Sequence, residues 1–397
     1  MTMAVIVDGV RTPSGRGKPG GALSGVHPVD LLSGVLSALI ERNNLDPELI
    51  DDVITGCVGQ AGEQSTNVGR NAVLAAGFPQ RVPATTLDRQ CGSSQQAAHF
   101  AAQGVMAGAY DVVIACGVES MSRIPMFSAQ QGANPYGSRF AERYPDGLIP
   151  QGVSAELVAA KWGLEREELD EFALRSHQRA AAASASGAFD NEIVTLRATG
   201  SDASQAVVRA DETVRATTTR EGLAQLKPAF ANVPEAARYP EIDWKITAGN
   251  SSPLTDGASA VLIMSEQKAH QLGLRPRARL CSFTVVGDDP VLMLTAIIPA
   301  TQMLLERAGI GIDTVDAFEV NEAFASVPLA WQREFGVDPE RVNIRGGAIA
   351  LGHPLGASGT RLLTTLIGVL ESTGGRFGLQ TMCEGGGMAN ATLIERL

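Results

Sequence analysis

The sequence is short of the residues on which several structural classes depend. Its 397 residues include five cysteines, Cys57, Cys91, Cys116, Cys281 and Cys383, which are scattered and odd in number, with no Cys-x-x-Cys pair. That excludes a disulfide framework or a zinc pattern and suits a reducing compartment, where most thiols act as small buried hydrophobes. Basic residues are in deficit as well. The formal charge of -11 excludes a globally basic surface for nucleic acid. It leaves room for a local anion site, since a few arginines suffice for a phosphorylated ligand. The longest apolar runs are too short to span a membrane. Yet 44% of the residues are hydrophobic, enough for a large core, so a disordered chain is excluded.

The chain opens on Met1-Thr2-Met3-Ala4-Val5-Ile6-Val7-Asp8, which reads as a short strand with no basic segment before it. No signal or transit peptide is expected there, and Glu395-Arg396-Leu397 is not a peroxisomal address. The expected location is the cytoplasm.

The length predicts two or three domains, or one duplicated unit. Ala4 to Val7, Asp52 to Gly56 and Asp111 to Cys116 read as buried strands, with helices predicted from Pro28 to Arg42 and from Ser93 to Gly108. Such alternation argues for a layered α/β core. Residues 123–150 are rich in Gly, Pro, Ser and Tyr and read as a long surface excursion. Helices are predicted from Ala155 to Trp162 and from Glu165 to Ser186, where Gly187 is a stop signal. Asn191 to Gly249 reads as polar and irregular. Alternation then resumes, with strands predicted at Ala258 to Met264, Ala278 to Val286, Val315 to Val320, Phe377 to Met382 and Ala391 to Arg396. Helices are predicted at Pro299 to Ala308 and Leu362 to Glu371. The layout is two α/β halves around an inserted middle segment.

Four places could carry chemistry. Asp88-Arg89-Gln90-Cys91-Gly92-Ser93 sets Cys91 at the mouth of a helix, where unpaired N–H groups and the helix dipole favour a thiolate nucleophile. A buried structural cysteine fits these residues equally well. Gly346 to Gly359 is a glycine-dense loop with one histidine, His353, able to exchange a proton near pH 7. The competing reading is a surface turn. Cys383-Glu384-Gly385-Gly386-Gly387 sets a second thiol beside backbone N–H groups that suit a developing oxyanion, although a glycine-rich hairpin looks the same. Asn321-Glu322-Ala323-Phe324 follows a predicted strand, where polar groups often line a site and where Asn is equally a helix cap.

The remaining histidines and cysteines receive structural readings. His99 lies eight residues beyond Cys91, about 12 Å along a helix and too far for direct proton transfer. His27, His177 and His270 sit in polar or amphipathic contexts without partners. Cys57, Cys116 and Cys281 lie in or beside apolar runs and read as core.

Taken together and in order, the motifs resemble those of the thiolase family over essentially the whole chain. They are Arg11-Thr12-Pro13, Cys91-Gly92-Ser93, Gly117-Val118-Glu119-Ser120-Met121-Ser122, Leu226-Lys227-Pro228 and Gly249-Asn250-Ser251-Ser252. Asp256-Gly257-Ala258, Asn321-Glu322-Ala323-Phe324, Gly352-His353-Pro354 and Cys383-Glu384-Gly385-Gly386-Gly387 complete the series. The resemblance implies a five-layered α-β-α-β-α core of two similar halves. Residues 1–121, completed by 250–271, would form one half, and 272–397 the other. Residues 122–249 would be a loop domain covering coenzyme A.

The resemblance also implies roles. Cys91 would be acylated, His353 would activate it and help bind the thioester oxygen, and Asn321 would hold a water in that first oxyanion hole. Cys383 would transfer the second proton. The N–H groups of Cys91 and Gly385 would form the second oxyanion hole. Ser252 and Arg215 would meet the pantetheine arm and the nucleotide end of coenzyme A. Coenzyme A is then a substrate, with no permanently bound cofactor or metal, and a homodimer or homotetramer is expected.

Three departures from the family pattern fall around its acyl pocket: Gln151 before Gly152, Ser94, and Met293-Leu294-Thr295-Ala296-Ile297-Ile298-Pro299. They lead to the expectation of a degradative 3-ketoacyl-CoA thiolase acting on chains longer than acetoacetyl. The alternatives are an acetoacetyl-restricted acetyl-CoA acetyltransferase, a β-ketoacyl synthase, or a non-catalytic acyl-CoA-binding protein. A synthase would carry a further histidine or an asparagine in place of Cys383.

Overall fold

A computed structural model describes residues 2–199 and 205–397. Residues 200–204, within the stretch expected to be irregular, and Met1 lie outside the described residues.

The first half begins with β1 (Ala4–Arg11), the short β2 (Gly15–Arg16) and α1 (Pro28–Arg42). It continues with β3 (Asp52–Gly56), α2 (Val68–Ala75), β4 (Ala84–Leu87), α3 (Ser93–Met106) and β5 (Val112–Ser120). The middle segment holds α4 (Ser138–Arg143), α5 (Gln151–Lys161), α6 (Arg166–Ala185), a hairpin of β6 (Leu196–Thr199) and β7 (Gln205–Val208), and α7 (Arg220–Ala224). Next come β8 (Thr255–Ser265), α8 (Glu266–Gln271), β9 (Ala278–Gly287), α9 (Ile297–Ala308), β10 (Ala317–Val320) and α10 (Ser326–Phe335). The chain closes with α11 (Ala348–Leu351), α12 (Ser358–Thr373), β11 (Phe377–Glu384) and β12 (Met388–Arg396).

The strands run β10-β11-β12-β9-β1-β8-β5-β3-β4, with β2 alongside β8. This continuous sheet is two half-sheets joined where β1 meets β9, at Val5↔Arg279 and Ile6↔Ala278. Each half repeats one succession of pairings. In the first, β1/β8 and β8/β5 are antiparallel and β5/β3 is parallel. In the second, β9/β12 and β12/β11 are antiparallel and β11/β10 is parallel. All nine residues of β5 and all eleven of β8 are buried, because both faces of these strands are covered.

The core divides into three large apolar layers. Leu31, Leu32, Val35 and Leu36 of α1 pack on the outer face of the first half-sheet. Between the half-sheets lie Ala97, Ala98, Ala101 and Ala102 of α3 and Leu363, Leu366 and Ile367 of α12. Outside the second half-sheet are Leu304 of α9, Trp331 of α10, and Val158 and Phe172 of α5 and α6. The order is therefore helix, sheet, helix, sheet, helix. The small residues of α3 matter here: a Cβ added at Gly359 would lie 2.1 Å from the backbone nitrogen of Gln95. The two central helices thus approach backbone to backbone, which only glycine at 359 permits.

Seven elements lie outside the sequence-based expectation: β2, α2, β4, α4, α8, α10 and α11. The segment expected to be irregular carries β6, β7 and α7. Cys281, expected in the core, is exposed. On β9 the alternate positions Ala278, Leu280 and Thr284 are buried, so Cys281 takes the opposite face of the pleat. Among the described residues no helix is long and apolar enough to cross a membrane.

Candidate active site

Cys91 sits in the tight turn that feeds α3. Asp88 accepts the Gln90 N–H at 2.6 Å, and Ser93 Oγ accepts the Arg89 N–H at 2.9 Å while donating to the Gln90 carbonyl at 2.6 Å. Gln90 is driven into the left-handed region, at φ +48. A non-glycine residue there costs of order 1 kcal/mol, and the surrounding hydrogen bonds hold it in place.

That turn also buries the thiol, with consequences for its charge. Burial first, and then the charge of Glu384, pushes Cys91 up to about 12. Loss of solvent thus opposes the local N–H groups that the helix mouth offers to a thiolate.

His353 is carried in the loop between α11 and α12. Gly352, at φ +82, permits the turn, and a Cβ there would lie 2.5 Å from Thr255 Oγ1. That same hydroxyl accepts the His353 N–H at 3.0 Å. The imidazole is buried, so the surface-turn reading fails. Ser358 Oγ donates to the Pro354 carbonyl at 2.9 Å and lies 2.6 Å from His353 Nδ1. With its hydrogen given to Pro354, the serine oxygen is free to accept from Nδ1–H, an arrangement that leaves Nε2 as the basic nitrogen. Burial, then the charge of Arg361, pushes His353 down to about 3, so the ring is neutral.

Asn321 Nδ2 lies 3.3 Å from His353 Nε2. Asn321 follows β10 directly, with its N–H donating to the Thr381 carbonyl at 3.1 Å. It is not a helix cap, since α10 starts at Ser326 after Ala325. Its neighbour Glu322 is locked by Ser176 Oγ, Asn343 Nδ2 and the Ile349 N–H at 2.7, 2.8 and 3.1 Å. The segment carrying Asn321 is thus fastened to α6 and to the His353 loop. Ser252 joins this neighbourhood through its N–H, which donates to the Ala323 carbonyl at 3.0 Å.

Cys383 stands one residue before the end of β11 and is buried. Burial, then the charges of Cys91 and Glu384, raises it well above the ordinary thiol value. The two thiols are thus close enough to oppose each other's ionisation. Gly385 lies across from the nucleophile turn, where an added Cβ would be 3.0 Å from Gln90 Oε1. Arg215 is exposed, and its N–H donates to His177 Nδ1 at 3.2 Å. His177 therefore has a partner, contrary to expectation, and Arg215 is not joined to the buried cluster by these contacts.

Sequence reasoning missed Ser358 and Glu119. The Glu119 carboxylate accepts N–H groups from Val58, Gly59, Gln64 and Gly356 at 3.0, 2.9, 2.9 and 2.9 Å. It pins the loop after His353 to the first half. The only sequence signal was its place in the Gly117 to Ser122 motif.

Residues 4–267 match the family described as Thiolase, N-terminal domain, and residues 274–396 match Thiolase, C-terminal domain. The chain belongs to the thiolase family. It is 48% identical to a steroid 3-ketoacyl-CoA thiolase of Mycobacterium tuberculosis, over 100% of this chain and 95% of that protein. It is 45% identical to a 3-ketoacyl-CoA thiolase of Pseudoalteromonas translucida, over 100% of both chains. The crystal structure of an acetyl-CoA acetyltransferase of Bacillus anthracis superposes with a TM-score of 0.89 at 38% identity, covering 100% of this chain and 99% of that one. The thiolase match thus takes in all four of the buried residues Cys91, Asn321, His353 and Cys383.

Proposed function

We propose that this thiolase is an acyl-CoA:acetyl-CoA C-acyltransferase that cleaves 3-ketoacyl-CoA with coenzyme A, or runs the reverse condensation, through an acyl group on Cys91. The observation that carries this reading is the pair of buried thiols, Cys91 and Cys383, in a fold that also holds a neutral His353 between Ser358 and Asn321.

The resting states direct the chemistry. Burial raises the Cys91 thiol and lowers the His353 imidazole, so in this reading proton loss from Cys91 accompanies attack. His353 Nε2 takes the proton as Sγ bonds to the C3 carbonyl carbon of the substrate. The C2–C3 bond then breaks, and its electron pair passes to the acetyl-CoA fragment as an enolate. Cys383 S–H protonates C2 and acetyl-CoA departs. The Cys383 thiolate next takes the proton of incoming coenzyme A, whose sulfur attacks the Cys91 thioester. Cys91 leaves and recovers its proton from His353. The N–H groups of Cys91 and Gly385, and a water held by Asn321, would stabilise the oxyanions. Ser252 and the exposed Arg215 would contact the pantetheine arm and the nucleotide end.

Coenzyme A enters as substrate, and no permanently bound cofactor is invoked. Substrates longer than acetoacetyl-CoA are the proposed class, in keeping with relatives named 3-ketoacyl-CoA thiolase, one of them for steroids. This places the activity in lipid degradation. A homodimer or homotetramer is the proposed assembly. Five free cysteines suit the cytoplasm.

The test is coenzyme A-dependent cleavage across a 3-ketoacyl-CoA series, with products identified by mass. Turnover rising from acetoacetyl-CoA upward supports the reading. Activity confined to acetoacetyl-CoA makes the protein an acetyl-CoA acetyltransferase. Decarboxylation of malonyl substrates favours a synthase, and ester binding without turnover a binding protein. Cys91→Ala must abolish covalent labelling by acyl-CoA. Cys383→Ser must still be acylated and lose carbon–carbon bond chemistry by about a hundredfold or more.

A further inference from the structure

Glu384 follows Cys383 in sequence and its charge acts on both Cys91 and Cys383, and the mechanism above does not use it. It ends β11, pairs with Met388 of β12 and is fully buried. Neither of its carboxyl oxygens has a hydrogen-bond partner among the described residues. Its position is closely defined. A Cβ added at Gly92 would lie 1.9 Å from Glu384 Oε1 and 2.7 Å from Asn390 Nδ2, so the carboxyl tip rests against the backbone of the residue that follows the nucleophile. Asn390 Nδ2 holds the same spot by donating to the Gly92 carbonyl at 3.0 Å.

A buried carboxyl in this place has two states with opposite effects. Ionised, it has no donors to stabilise it and repels the negative charge that must develop on Sγ of Cys91, then of Cys383. Protonated, it removes that repulsion. We propose that Glu384 is a positioning residue of the thiolase reaction, acting through the two cysteines: its protonated form permits charge on them and its ionised form opposes it. This rests on the roles given above to Cys91 and Cys383.

The surroundings favour the protonated form around neutrality. Burial pushes Glu384 up to about 8, opposed by Arg89 and reinforced by Asp88, both on the turn before α3. The other titratable groups facing it are Cys91 and Cys383, each of which its charge pushes further up. From β12 it meets the uncharged amide of Asn390. The linkage runs one way: as pH rises through the ionisation of Glu384, the cysteines become harder to ionise just where more alkaline solvent would otherwise ionise them.

The experiment is the alkylation rate of Cys91 by iodoacetamide in the full-length protein, from about pH 6 to about pH 10, with the modified peptide identified by mass spectrometry. For E384Q the curve shifts to lower pH, with Cys91 labelled about tenfold faster near pH 9 than in the wild type. A curve that coincides with the wild type overturns the proposal. If E384Q does not fold, the wild-type pH profile of kcat/KM decides. A fall as pH rises through about 8 supports the proposal, and a flat profile well beyond that value overturns it. Alkylation needs no turnover. A protein that shows the labelling shift yet cleaves no 3-ketoacyl-CoA refutes the proposed function, whereas one that cleaves without the shift refutes only the role of Glu384.

Discussion

The Nδ1 atom of His353 lies 2.6 Å from Ser358 Oγ, whose own hydrogen is given to the Pro354 carbonyl. In that arrangement a single hydroxyl leaves Nε2 as the basic nitrogen and sets its direction. Ser358→Ala removes the acceptor and lets the ring turn. The expected result is a fall in kcat of about tenfold to a hundredfold with KM little changed, since misplacement of a reacting group carries that scale of loss. Steady-state kinetics check it. An unchanged kcat would mean that packing alone holds the ring.

Gly359→Ala tests the contact between the helices that follow Cys91 and His353. The new methyl would stand 2.1 Å from the backbone nitrogen of Gln95. Backbone cannot yield as a flexible side chain can, so the helices must separate. A stability loss of about 3 kcal/mol is expected, at the upper end of overpacking costs. Urea denaturation measures it, and turnover should fall in the material that remains folded.

Glu119→Ala strands three backbone N–H groups, those of Val58, Gly59 and Gly356. Each buried donor left unpaired costs about 1–3 kcal/mol. The expected loss is therefore about 3 kcal/mol or more, again by urea denaturation. Glu119→Gln keeps one carbonyl acceptor and should lose less. Equal losses in the two variants would show that the acceptor function is not what matters.

Acid should reveal the buried histidines. His99 stacks on Phe283, lies 2.8 Å from Thr392 Oγ1 and is pushed down to about 3, first by burial and then by Arg89. The unfolded chain takes up a proton near the ordinary imidazole value of about 6.5, whereas the folded chain does not. The stabilisation is complete above that value and is lost as pH falls toward 3, by up to about 1.4 kcal/mol per pH unit for this residue. Glu319 and Glu384, each pushed up to about 8 by burial, act in the opposite sense and lose their contribution as pH rises. The clean readout is thus the difference between wild type and His99→Gln. The variant should show a flatter decline between about pH 6.5 and pH 4. Parallel curves would mean that His99 is protonated in the folded protein.

Elements with a clear period were legible in the chain. The helix Pro28–Arg42 and the strand Asp52–Gly56 lie where the apolar pattern put them. The elements that escaped notice are short or carry breakers. Ala84–Leu87 has four residues after a proline, Val68–Ala75 includes Gly69, and Ser326–Phe335 includes Pro328. Their order comes from neighbours: β4 is held by its parallel pairing with β3, and α10 by burial of Trp331.

The ordered motifs alone determined the family, because each residue type is bound to a local backbone need or a chemical role that survives in one dimension. The tertiary structure decided the environment of each ionisable group. Cys91 at its helix mouth is pushed up and His353 in its loop is pushed down once the layers close over them. Desolvation depends on what packs against a group from distant parts of the chain, and that information is absent from its sequence neighbours.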